Sequence, residues 1–153
     1  KKGKKHSLII LREFIELKAT SKGTNLNEGL KFFRNTQKKR SIAFVISDFM
    51  DDNDFMEGMK VSRKKHDMVA LRLVDDAEKN LPSMGIVQLF NAETGQTTWV
   101  NSSSQKAQDL HKKNFEDFEE KLNKEFKKSG IDCATISTEE DFIKPLVKLF
   151  QNR

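Results

Sequence analysis

Apolar residues recur at helical spacing from Ser7 to Leu17, at Leu8, Leu11, Phe14 and Ile15. The segment Lys18 to Gly23 reads as a loop. Asn25 to Gln37 predicts a second helix, with Leu26, Leu30 and Phe33 on one side. The run Ser41–Ser47 then reads Ser-Ile-Ala-Phe-Val-Ile-Ser, apolar without alternation, as expected of a strand buried on both faces. After an acidic loop, Asp48 to Asn53, a helix begins around Phe55 and ends near His66. Met68 to Val74 is a second buried strand, and Asp75 to Ser83 a polar connection. Ile86 to Phe90 and Thr97 to Val100 form two short strands around a turn in which Gly95 can take a positive φ.

The longest helix is predicted over Ser104 to Ser129, where Phe115, Phe118, Leu122 and Phe126 make one stripe and Gly130 stands just past the end. Ile131 to Ile136 is the last strand. Thr138, with Asp141 three residues on, is expected to cap a final helix that Pro145 bends or restarts. Leu146, Leu149 and Phe150 are expected to finish the core. Strands alternating with helices imply a mostly parallel sheet with helices on both faces, carrying a short β-hairpin.

Composition narrows the function classes. The 153 residues fit one domain. One third of them are charged and the mean hydropathy is -0.67, so the core is small beneath a wet surface. No stretch approaches the roughly 18 apolar residues of a membrane span. Lys1 to His6 is basic, but the apolar run behind it holds Arg12 and Glu13, which is not the pattern of a signal peptide. The single cysteine, Cys133, fits a buried strand position and a reducing, cytoplasmic setting. The net charge of +5 is scattered in clusters with acidic residues between them. With no tyrosine and one tryptophan, this is not the pattern of a nucleic-acid binder.

Ligands of an open parallel sheet bind beyond the carboxyl ends of its strands. Two acidic groups fall there: Asp48, with Asp51, Asp52 and Asp54, after the first strand, and Asp75, Asp76 and Glu78 after the second. Asp48 is the foremost candidate, because a carboxylate at a strand tip is held rigidly and hard oxygen donors suit Mg²⁺. The plain alternative is that these residues cap helices or stay solvated. His6, His66 and His111 lack metal-ligand spacing, and the serines around Ser102 have no adjacent base and are expected to start the long helix. No nucleophile elbow, P-loop or dinucleotide fingerprint occurs. The residues read as a binding module rather than an enzyme. A Mg²⁺-dependent phosphoesterase or nuclease using Asp48, Asp51 and Asp52 is one alternative, and a metal-free structural interaction domain the other.

Five segments in order carry a resemblance: Lys22-Gly-Thr-Asn-Leu26, Arg40-Ser-Ile-Ala-Phe-Val-Ile-Ser-Asp-Phe49, Lys65-His-Asp-Met-Val-Ala70, Leu81-Pro-Ser-Met-Gly85 and Glu93-Thr-Gly95. Together they resemble the bacterial family known as domain of unknown function 58, from about Lys18 to Arg153. The resemblance implies a three-layer, Rossmann-type von Willebrand factor A-like fold. Residues 1–153 would be the C-terminal part of one such domain, truncated at its N-terminus. It further implies a protein-interaction module working with a MoxR-type AAA+ ATPase in protein complex assembly or maturation.

Such domains hold a divalent cation, here Mg²⁺, at a metal-ion-dependent adhesion site. Thr24 matches its loop threonine and Asp48 its strand-end aspartate. Its Asp-x-Ser-x-Ser motif is absent from this sequence, and Ser47-Asp48-Phe49 replaces the usual Thr-Asp-Gly. The chain alone is therefore expected to hold Mg²⁺ weakly or not at all, a partner carboxylate completing the coordination. The resemblance also places a missing central strand beside Ser41–Ser47, whose open edge would favour self-association.

Overall fold

The computed structural model describes residues 3–18, 23–51, 53–90 and 96–153. Three apolar runs become a parallel sheet: β1 (Ile42–Ser47), β2 (Asp67–Val74) and β5 (Asp132–Ser137), in the order β1-β2-β5. Ile42 pairs with Asp67 and Ser47 with Arg72, while Val69 pairs with Asp132 and Val74 with Ser137. Residues paired across a parallel ladder share a face. Ala43, Val45, Met68, Ala70 and Cys133 therefore face one way, into a core formed with α2 (Leu26–Thr36), α3 (Phe55–Arg63) and α5 (Gln105–Ser129). Val69, Leu71, Ala134 and Ile136 face the other way, against Leu146 and Leu149 of α6 (Ile143–Gln151). Helices thus cover both faces of a parallel sheet.

The central strand of this sheet is β2, nearly all of it buried. The expectation that β1 is buried on both faces is not met. Its burial alternates, with Ala43 and Val45 half-buried and Ile42, Phe44 and Ile46 exposed. Composition records that both faces of β1 are apolar, but it does not record which neighbour covers each one.

Other elements follow from local chemistry. Asn25 caps α2, its side-chain oxygen accepting from the Glu28 N–H at 3.1 Å. Gly130 ends α5 at φ 60, a left-handed position that favours glycine. A Cβ there would stand 2.7 Å from Nη2 of Arg63, whose Nε–H donates to the Gly130 carbonyl. The hairpin forms from β3 (Ile86–Phe90) and β4 (Thr97–Asn101). Residues 91–95, with Gly95 and the Glu93-Thr-Gly95 segment, lie outside the described residues, as does Lys22. The first helix, α1 (Lys4–Glu16), buries none of its residues.

Four expectations are corrected. The connection after β2 contains a short helix, α4 (Asp76–Lys79). Thr138 does not cap the last helix, since its hydroxyl donates to Asp75 at 3.0 Å. The last helix starts only at Ile143, with the Ile143 N–H on Asp141. Pro145 then falls in the first turn, where a missing N–H costs no helical bond, and the helix runs unbroken from Ile143 to Gln151. Phe150 stays half exposed, while Leu149 is buried.

Candidate functional site

The loop before α2 and the loop after β1 are bonded together. The Leu26 N–H donates to Asp51 Oδ2 at 2.7 Å. The side-chain amide of Asn53 donates to Asp51 Oδ1 at 2.7 Å and to the Thr24 carbonyl at 3.4 Å. Thr24 and the Asp48 loop therefore lie at the same end of the sheet, beyond the carboxyl end of β1. Asp51 and Asn53 make the joint. Sequence reasoning treated Asp51 as a helix cap or a solvated residue, and it does satisfy a first-turn N–H of α2, but from another loop.

Asp48 owes its placement to Phe49. That side chain is buried against Phe55 and Phe126, with ring centroids 5.4 and 5.1 Å away. Its backbone takes φ 61, unusual for a bulky residue and held here by the aromatic packing. The reversal leaves Asp48 exposed at the strand tip. The Met50 N–H and the Ser47 hydroxyl donate to Asp48 Oδ1 at 3.1 and 3.2 Å, and the Phe49 N–H donates to Ser47 Oγ at 3.0 Å.

The second acidic group adjoins the first electrostatically. Burial, then the negative charge of Asp48, pushes the Glu78 carboxyl above its ordinary range; Asp75 adds to this and Arg72 opposes it. Asp75 is held below its ordinary value by the Ala77 N–H and the Thr138 hydroxyl. The carboxyl ends of β1 and β2 therefore share one negative field, with buried Arg72 behind it.

Thr24 and Asp48 supply two oxygen donors, short of the six of an octahedral Mg²⁺ site. Among the described residues no group of three or more His, Cys, Asp or Glu is placed to hold a metal ion. These residues do not complete a metal site by themselves. Asp52 lies outside the described residues. Asp54 occupies the N-cap position of α3 without a side-chain cap bond, and its carbonyl accepts from Asn27 at 2.6 Å.

Elsewhere, polar residues serve structure. Ser102 is buried, accepting from the Met84 N–H and donating to the Gly85 carbonyl, each at 2.9 Å. It clamps the base of the hairpin, while Ser104 holds the N-cap position of α5. His66 is buried beside Ser41 and Phe33, and His111 donates to the Glu78 carbonyl at 2.9 Å. Burial pushes the Cys133 thiol up to about 11, so it stays protonated at neutral pH.

An α/β domain with an acidic strand-end surface is what the geometry defines. Its family is shown by comparison: the model for "Protein of unknown function DUF58" matches residues 1–121, and the chain belongs to that family. An uncharacterized protein of Mycobacterium avium, MAV169, is 24% identical over 129 residues, covering 84% of this chain and 76% of that protein. The uncharacterized Rv1480 of Mycobacterium tuberculosis is 26% identical over 95 residues, covering 61% of this chain but 30% of the relative. Among solved structures, the conserved hypothetical protein BatB from Bacteroides thetaiotaomicron matches at TM-score 0.48 and 14% identity, over 94% of this chain and 67% of that one. Among the described residues, no helix is long and apolar enough to cross a membrane.

Proposed function

We propose that the chain is a cytoplasmic von Willebrand factor A-like interaction module whose contact surface is the carboxyl end of β1, with Thr24 and Asp48 at its centre. The observation that carries this reading is the bonded pair of loops. Two segments 25 to 29 residues apart in sequence are fastened through Asp51 and Asn53, and fixed loops at strand ends are where open parallel sheets bind ligands. Thr24 offers a hydroxyl and Asp48 a carboxylate, both on exposed residues. The partner contributes complementary groups, and a divalent cation shared with a partner carboxylate is the form the family resemblance gives to this contact. The partner in this reading is a MoxR-type AAA+ ATPase, and the process is assembly or maturation of other proteins.

Calorimetric titration with the MoxR-type ATPase of the same organism, in Mg²⁺ and in EDTA, tests the reading. Binding in Mg²⁺ that is lost in EDTA and in Asp48→Ala supports it. Binding that ignores both changes favours the metal-free structural interaction domain.

A further inference from the structure

Charge that alternates in sign along the sequence is sorted by the fold. Lys38, Lys39 and Arg40 stand between α2 and β1. Arg63, Lys64 and Lys65 stand at the end of α3, before β2. Lys127 and Lys128 fill the last turn of α5, before β5. Acids take the opposite positions. Asp48, Asp51 and Asp54 follow β1, Asp75, Asp76 and Glu78 follow β2, and Glu139, Glu140 and Asp141 follow β5. Because the three strands run parallel, the basic connections gather at the amino end of the sheet and the acidic ones at the carboxyl end.

Hydrogen bonds tie the basic end into one surface. The Asp67 N–H donates to the Ser41 carbonyl at 2.9 Å, and Arg63 Nε–H to the Gly130 carbonyl at 2.6 Å. Arg40, Arg63, His66, Gly130 and Arg153 line one pocket between the connections. Two acids open strands there, Asp67 and Asp132, and Arg153 pairs with both. The cations before β1 and β2 are exposed and, among the described residues, form no ion pair. The helix macrodipole favours a cation in the last turn, which accounts for Arg63, Lys127 and Lys128. It does not account for Lys38, Lys39, Arg40, Lys64 and Lys65, which lie beyond their helices. The strand that the family resemblance sets beside β1 pairs on the far side from β2, so it does not reach the connections before β2 and β5.

The chemistry of these cations says what fits them. Most are lysines, hydrated point charges without the rigid fork that grips one phosphate bidentately. They suit a diffuse field of negative charge. None of the three connections holds a Phe, Tyr or Trp to stack a base, which disfavours single-stranded nucleic acid. Their one large apolar residue, Ile131, is buried, so nothing there is available to insert among acyl chains.

We propose that the amino end of the sheet is a docking surface for a bilayer rich in anionic lipid, held by charge alone. The acidic end is repelled by the same bilayer and faces away from it. β1 has six residues and spans roughly 20 Å. That exceeds twice the Debye length of about 8 Å in physiological salt, so repulsion at one end does not cancel attraction at the other. The docked domain therefore presents Thr24 and Asp48 outward. This last consequence rests on the proposed function; the membrane contact does not.

Co-sedimentation of the 153-residue protein with vesicles of phosphatidylcholine and phosphatidylglycerol in equal parts is the test. The expected result is binding at low salt that is lost at high salt and is absent on phosphatidylcholine alone. Each lysine near such a surface counts for about fivefold in partition, so Lys64→Gln with Lys65→Gln lowers binding at least tenfold. The two side chains are exposed, and circular dichroism is unchanged. Lys112→Gln with Lys113→Gln removes the same charge from the first half of α5, away from the basic end, and changes binding less than twofold. Equal losses in the two double variants overturn the proposal, because net charge and not this surface is then responsible. Binding that withstands high salt overturns it as well. Failure to bind anionic vesicles overturns it outright, and a duplex DNA gel shift lost in the Lys64 and Lys65 variant would then assign the surface to nucleic acid. The ATPase of the proposed function is absent from this assay, so failure here leaves that reading standing.

Discussion

Arg72 Nη1 lies 3.0 Å from Glu119 Oε1, an ion pair that fastens the central strand to α5. Arg72 is 1% exposed, and its guanidinium lies against the rings of Phe115 and Phe118, 5.0 and 5.3 Å from their centroids. A buried charge that keeps its partner and its aromatic contacts is tolerable, and one that loses its partner is not.

Glu119→Ala is accordingly expected to destabilise the protein by about 3 kcal/mol, the lower end of the range for a broken buried pair because Glu119 is partly exposed. Arg72→Met removes the charge with its partner's need for it and is expected to cost less. Urea unfolding of the two variants checks the order. Equal losses would mean that Arg72 contributes mainly by packing.

Both partners left traces in the sequence. Arg72 interrupts an apolar strand at a position sharing the face of Ala70 and Val74, and Glu119 interrupts the stripe four residues after Phe115 and three before Leu122. An inward charge on each of two apolar elements is a signal for a buried pair, and sequence reasoning passed over it. The order of strands and helices was legible because period and breakers are local properties. The exposure of one face of β1 was not, since it depends on which neighbours arrive. The joint made by Asp51 and Asn53 was hidden because short polar residues in loops look alike until the distant N–H that Asp51 accepts from and the distant carbonyl that Asn53 donates to are known.

Glu78 gives a prediction in pH. Its folded pKa lies above the ordinary value of 4.5, through burial first and then the charge of Asp48. A carboxyl raised on folding is better accommodated neutral, so its ionisation takes stability away as pH rises through the raised folded value. Glu78→Gln is expected to raise the melting temperature at pH 7, and the gain should vanish below pH of about 4, where wild-type Glu78 is also neutral. A gain that persists at low pH would show that charge is not the cause.

Asp51 has the opposite sign. Burial alone raises its pKa, but the N–H groups of Leu26 and Asn53 and the Asn53 side chain outweigh that, leaving it below 3.8. Its contribution is present above the unfolded value and disappears as pH falls through the lower folded one. Asp51→Ala should cost roughly 1 kcal/mol at neutral pH, comparable to loss of a helix cap. The difference from wild type should close in strong acid. Thermal melts of the pair across acidic pH measure it.

The proposed partner surface is the joined pair of loops at the carboxyl end of β1. The most direct measurement is amide chemical-shift perturbation of the labelled protein as the MoxR-type ATPase is added. Shifts or broadening are expected to concentrate at Gly23, Thr24, Asn25 and Leu26 and from Asp48 to Asn53, and to be abolished in Asp48→Ala. Perturbations centred on β5 and α6, with those two loops unmoved, would contradict it.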